Sequence, residues 1–221
     1  MNSMRAIYTC DIGSIPSGNF GWARCVPEHK ANPTGSTDIS RLVDCLEKDM
    51  ANRTSIALGF ESPLFIPVPL SDSDLCRGRQ GEGSRSLFAQ AGATVTTLGI
   101  HQAAWILRKI HPCGANHFEF TTDLSKWPPS DERLVLFCWE AFVSGNAHSR
   151  HHTRDAATAT MFFLDNEMHL GTVNAVTTEP SFSLIQAVAL WAGWSTNMAE
   201  LHASTLVIKP NKPYEGMIYS V

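Results

Sequence analysis

Charge is scarce in this 221-residue chain: Asp, Glu, Lys and Arg together make up 17% of it, and the formal net charge is −4. A protein that attracts nucleic acid through its overall field carries a basic excess, so such a role would need a local basic groove here. Cys-x-x-Cys pairs are also missing. The six cysteines, at 10, 25, 45, 76, 113 and 138, have no disulfide-framework spacing. Four of them lie in apolar runs, which reads as reduced thiols in a cytoplasmic protein. No apolar run reaches the roughly 18 residues of a membrane span, and the start, Met1-Asn2-Ser3-Met4-Arg5, has no signal-peptide core. Internal repeats, low-complexity tracts and a G-x-x-x-x-G-K-[ST] phosphate loop are absent as well. What these absences leave is a globular chain, 43% hydrophobic, of a size for one domain.

Hydrophobic patterning divides the chain into alternating strands and helices. Residues 4–12 read as a buried strand, and Pro16-Ser17-Gly18 as a turn. Phe20 to Val26 then reads as the second arm of a hairpin. Ile39, Leu42, Val43, Leu46 and Met50 follow helical spacing, with Thr37 or Asp38 available as a cap. Strands are expected over Ser55–Phe60 and Leu134–Trp139. Helices are expected over Leu87–Ile110, stopped by His111-Pro112, and over Thr153–Leu164. Between them, residues 71–86 form the most loop-like stretch, rich in Gly, Ser and Arg. After residue 165 a strand at Gly171–Val176, a helix from Pro180-Ser181 and a strand at Leu206–Ile208 are expected. The expected fold class is a layered α/β domain with a mixed central sheet flanked by helices. Its core spans about 4–165, and a C-terminal strand-helix-strand extension spans 166–221.

Acids recur at the ends of these elements. Asp11, Glu61 and Glu140 end strand-like runs, and Asp155 lies in the first turn of the Ala-rich helix. His151 and His152 precede that Asp by four and three residues, so both can share its helix face. Singly, each acid reads as a solvated strand end or a helix cap. Jointly, carboxylates at element ends are what a Mg²⁺ or Mn²⁺ site needs, because these hard cations take oxygen ligands. Two such ions can activate water and stabilise the leaving oxygen of a phosphodiester, with a nearby His carrying a proton.

The placement of Asp on the first strand of a hairpin, an acid ending a later strand and an acid on a late Ala-rich helix resembles the ribonuclease H-like superfamily. Within it, His152-Thr153-Arg154-Asp155-Ala156-Ala157 resembles the last-helix motif of RuvC-type junction resolvases. There, two ligating side chains three apart precede small residues. Gly59-Phe60-Glu61-Ser62-Pro63-Leu64, Asp11-Ile12-Gly13 and Gly21-Trp22 are similar to a family of predicted RNase H-like nucleases. Glu61 stands where that family more often has Asp. The resemblance implies a metal-dependent nuclease in which Asp11, Glu61 and Asp155 ligate the metal. It makes His152 a fourth ligand or proton carrier, and Glu140 an outside candidate.

Nucleic acid, DNA or RNA, is the expected partner, contacted by Arg77, Arg79 and Arg85 of the loop and by Arg150 and Arg154 beside the histidines. The loop reads equally as plain surface. His111, Cys113 and His117 lack a fourth zinc partner, so a helix-ending turn is the default there. Trp191 and Trp194 read as core or interface, which leaves a homodimer open. Two competing functions stand beside the nuclease. One is a catalytically silent binding or assembly protein on the same fold. The other is an actin/hexokinase-like nucleotide-dependent enzyme, disfavoured by the short chain.

Overall fold

The structure is a computed structural model that describes residues 4–27, 32–83, 86–129, 133–176 and 180–221. It is mixed α/β, with a mixed central sheet flanked by helices. At the middle of the sheet lies β1 (Arg5–Asp11). It pairs antiparallel with β2 (Gly21–Cys25), which continues to β3 (Thr34–Ser36). On its other side β1 pairs in parallel with β4 (Ser55–Glu61), and β4 pairs in parallel with β7 (Leu134–Ala141). Two short strands share the far edge of β7: β6 (Phe118–Thr121) along its first half and β9 (Val207–Ile208) at its end. The opposite edge of the sheet is β10 (Tyr219–Ser220) against β3. A separate ribbon joins β5 (Phe65–Pro67) to β8 (Ser181–Ser183).

Period-2 alternation sorts the strand side chains between two cores. On one face Tyr8, Leu58 and Cys138 pack with three helices: α1 (Ile39–Ala51), α2 (Gln90–Gly114) and α4 (Leu184–Ala192). On the other, Ile7, Ala57, Phe137 and Trp139 pack with α3 (His152–Asp165) through Phe163. Trp139 and Phe163 approach with ring centroids 4.8 Å apart. Asp11 and Glu61 have the parity of Ile7 and Ala57, so both belong to the α3 face. Glu140 has the parity of Cys138 and belongs to the other.

The hairpin, the four main helices and the three parallel strands lie where the patterning places them. Asp38 is the cap of α1, its Oδ1 accepting from the Ser40 N–H at 2.8 Å. Several boundaries differ. α2 runs through Pro112 to Gly114. A proline in the last turn removes only the bond to the carbonyl four residues back, and the Ala115 N–H closes the helix on the His111 carbonyl at 3.0 Å. Gly171–Val176 is not a strand. A 3₁₀ segment at Glu167–Thr172 and one isolated bridge, Asn174 to Ile208, occupy it. The strand preceding α4 is β8 instead, and β9 and β10 extend the main sheet, so residues 166–221 are woven into the core. Among the described residues no helix is long and apolar enough to cross a membrane. All six cysteines are free thiols.

Candidate functional site

Asp11 and Glu61 are the last residues of β1 and β4 and are direct register partners across that parallel pair. Because parallel strands keep equal pleat, the two carboxyl groups leave the sheet side by side on the α3 face. Across the antiparallel pair, Asp11 faces Gly21. A side chain at Gly21 would place its Cβ 2.4 Å from the His152 carbonyl carbon and 2.4 Å from the Thr153 nitrogen. The bare backbone at Gly21 therefore lets the start of α3 rest directly on β2. A buried hydrogen bond from Thr160 Oγ1 to Thr9 Oγ1, 2.8 Å, fixes the helix further along the same face.

This docking brings the helix-borne residues to the strand ends. His152 donates from Nδ1 to Asp11 Oδ2 at 2.6 Å. Asp155, 1% exposed, accepts from the Ser149 N–H at 2.7 Å and from His148 Nδ1 at 2.6 Å. The cap alternative is thus partly realised: Asp155 closes the loop before its own helix. It also lies within electrostatic reach of Asp11 and Glu61, and its negative charge raises the pKa of both.

The acids are held uncomfortably. Burial, with like charge from Asp155, pushes Asp11 up to about 6, although His152 and His148 pull it down. Burial and the charges of Asp11 and Asp155 push Glu61 well above the carboxylate range, against one backbone hydrogen bond from Val143. Glu61 Oε2 is buried and finds no donor among the described residues. Hydrogen bonding toward Asp11 adds to the rise at Glu61 and favours its protonated form. Either a proton or a cation satisfies such a pair.

Carboxyl oxygens suit a hard divalent ion in chemistry, and Glu61 Oε2 is without a donor among the described residues. The arrangement described is nonetheless closed by protons and histidines. Among the described residues no group of three or more His, Cys, Asp or Glu is spaced to hold a metal ion.

The remaining predicted residues have other partners. Glu140 has the opposite strand parity, yet it lines one cavity with Asp11, Glu61 and Arg79; Arg79 holds it through hydrogen bonds of 2.6 and 2.7 Å and the Leu64 N–H donates at 3.0 Å. Arg79 corrects the expectation of a phosphate contact. It is 5% exposed, is paired as well to Glu82 at 2.9 Å, and stacks over the Phe65 ring. The described part of the loop, up to residue 83, is therefore pinned from inside at Arg79. Arg77 is exposed and paired with Asp74 at 3.2 Å, and Arg154 donates to the Tyr214 carbonyl at 2.8 Å. Arg150 is exposed beside the histidines, while Arg85 lies outside the described residues. The His151 side chain is exposed and bonds Asp155 only through its backbone carbonyl, which accepts from the Asp155 N–H at 3.0 Å; the ring that bonds the Asp155 carboxylate is that of His148.

Compared with known proteins, the chain matches no family model, no curated protein and no solved structure.

The site has residues the sequence reading missed. His148 was passed over because it precedes the helix, although the histidine-crowded loop around it was a visible signal. Glu82 and the Val143 N–H had none. Beside the acids a cavity of about 470 Å³ opens, lined by Asp11 and Glu61 together with Pro63, Leu87, Val95 and Phe142.

Proposed function

We propose that the chain is a metal-dependent phosphodiesterase of the ribonuclease H-like type, acting on nucleic acid. The observation that carries this reading is the register pairing of Asp11 and Glu61 at the carboxyl ends of two parallel strands, with the charge of Asp155, from a helix, acting on both. The layout of acids in the superfamily that the sequence resembles supports it. Asp11, Glu61 and Asp155 would hold Mg²⁺ or Mn²⁺, with Glu61 Oε2 the oxygen that gains most from a cation. When bound, such ions supply an activated water and charge stabilisation at the leaving oxygen. His152, oriented through Nδ1 by Asp11, keeps Nε2 as the ring nitrogen that can move a proton at the edge of the site. Asp11 and Glu61 would hold such an ion as carboxylates.

The experiment is Mn²⁺-dependent cleavage of labelled single-stranded and duplex oligonucleotides by the wild-type chain and by Glu61→Gln. The proposal expects cleavage in wild type and its loss in the variant. No cleavage of any substrate would favour the second reading, a nucleic-acid-binding or assembly protein without hydrolysis. The closure of Asp11 and Asp155 by His152 and His148 speaks for that one.

A further inference from the structure

The cavity beside the acids is a different kind of surface from a backbone-gripping groove. Its walls are mostly apolar: Pro63, Leu87 and Phe142, with Ala91 and Val95 from the first turns of α2. Its volume, about 470 Å³, lies in the range of small-molecule pockets, roughly 300–1,000 Å³. It takes one nucleoside-sized group rather than a length of duplex. Asp11 and Glu61 line it, as does the closed Arg79–Glu82–Glu140 network, so a group seated in it lies beside Asp11 and Glu61.

The charge around the site argues in the same direction. Duplex affinity comes mainly from neutralised phosphates, with a salt slope of about −0.9 per contact. Here Arg79 is sealed between Glu82 and Glu140, Arg77 is paired with Asp74, and Arg154 is turned to the Tyr214 carbonyl. Arg150 is left exposed near the histidines. A second, open cavity of about 480 Å³ shares Phe142 and Glu82 with the first and contributes Lys209, whose ammonium lies 4.8 Å from the Phe142 ring centroid. Among the described residues, Arg150 and Lys209 are a thin basic complement for gripping a duplex on a chain of net charge −4. Apolar burial must supply the affinity.

We infer that the substrate is an unpaired strand, bound by inserting one nucleoside into the cavity lined by Ala91, Val95 and Phe142, with the adjoining phosphate delivered to Asp11 and Glu61. A base buried against apolar side chains adds affinity that is sequence-tolerant and insensitive to salt, whereas a paired base is held in its stack. This inference rests on the nuclease reading, and the test separates the two.

The probe is a fluorescein-labelled ten-nucleotide single strand, as DNA and as RNA, and the duplex of the same sequence. Binding is read by anisotropy in Ca²⁺, and cleavage separately in Mn²⁺. Two variants fill the cavity without touching an acid: Ala91→Phe, at an exposed position that leaves the core intact, and Val95→Phe. The expected result is at least tenfold preference for the single strand, a salt slope shallower than about −2, and at least tenfold weaker single-strand binding in both variants. If wild type cleaves in Mn²⁺ but binds duplex as tightly, or if Ala91→Phe binds the single strand within twofold of wild type, the inference is overturned while the nuclease reading stands. If wild type neither cleaves nor binds either probe, the nuclease reading falls and takes the inference with it.

Discussion

Asp11 and Glu61 are register partners at the ends of two parallel strands; Asp11 is bonded to His152, while Glu61 Oε2 is buried without a donor among the described residues. That juxtaposition makes the site sensitive to pH in the absence of metal. Asp11 is raised from an ordinary carboxylate value to about 6, so the folded chain keeps a proton that the unfolded chain gives up near pH 4. The stability this provides is fully present below about pH 4 and is lost as pH rises through about 6. In EDTA, wild type should therefore become less stable between pH 4 and 7. Glu61→Gln removes one of the repelling charges and should be more stable than wild type at pH 8 by on the order of 1–3 kcal/mol, with the gain shrinking toward pH 4. Urea denaturation at the two pH values measures it. A constant difference across that range would contradict this account of the two acids.

The two histidines should separate in function. His152→Ala removes the group aimed at Asp11 and should slow cleavage by about 10²- to 10⁴-fold, with Mn²⁺ affinity changed by less than about threefold. His148 braces Asp155 from an exposed position, its side chain 55% accessible. His148→Ala should keep turnover within about tenfold, a brace being worth one charge-assisted hydrogen bond. Steady-state kinetics beside calorimetric Mn²⁺ titration gives both numbers. Equal losses in the two variants would make the histidines interchangeable supports.

Arg79 should behave as a structural residue. Arg79→Met leaves Glu82 and Glu140 buried without their cation, which costs about 3–5 kcal/mol for a broken buried pair. Arg77→Met removes an exposed pair and should cost less than about 1 kcal/mol. Thermal or urea unfolding ranks them, and similar stabilities would show that the Arg79 network is not closed as described.

Gly21 sets the distance between β2 and α3. Gly21→Ala forces its Cβ against the helix backbone at 2.4 Å, so the start of α3 must lift and carry His152 and Asp155 away from the strand ends. The expected outcome is a stability loss of about 1–3 kcal/mol, together with lost Mn²⁺ binding. Retained binding in that variant would mean that the close approach is not what positions the acids.

Much of this arrangement was written in local sequence. Asp11, Glu61 and Asp155 were found because each ends or begins a strongly patterned element, and alternation or helical spacing fixes such elements well. The same alternation could have set Glu140 aside. It has the parity of Leu136 and Cys138, which pack on the face away from α3, whereas Ile7 and Ala57 lie with the α3 core. Arg79 was misread for a different reason. Its neighbours, Gly78, Gly81 and Gly83, signal a loop, and its acidic partner Glu140 is 61 residues away. No local rule reveals such a pairing. The short strands at residues 34–36, 118–121 and 219–220 were invisible for the same cause, since tertiary pairing rather than composition makes them strands.

The central claim is that three carboxyl groups gather to hold a divalent ion, and calorimetric titration of Mn²⁺ into wild type and Asp155→Asn tests it most directly. The substitution removes the charge and nearly preserves the shape, so a fold built only on the Asp155 cap would lose little. Wild type is expected to bind Mn²⁺ saturably and to release protons as it does so, while Asp155→Asn should bind at least thirtyfold more weakly, with its thermal stability in EDTA equal to or above that of wild type. Absence of saturable binding to wild type, or unchanged affinity in Asp155→Asn, would contradict the account.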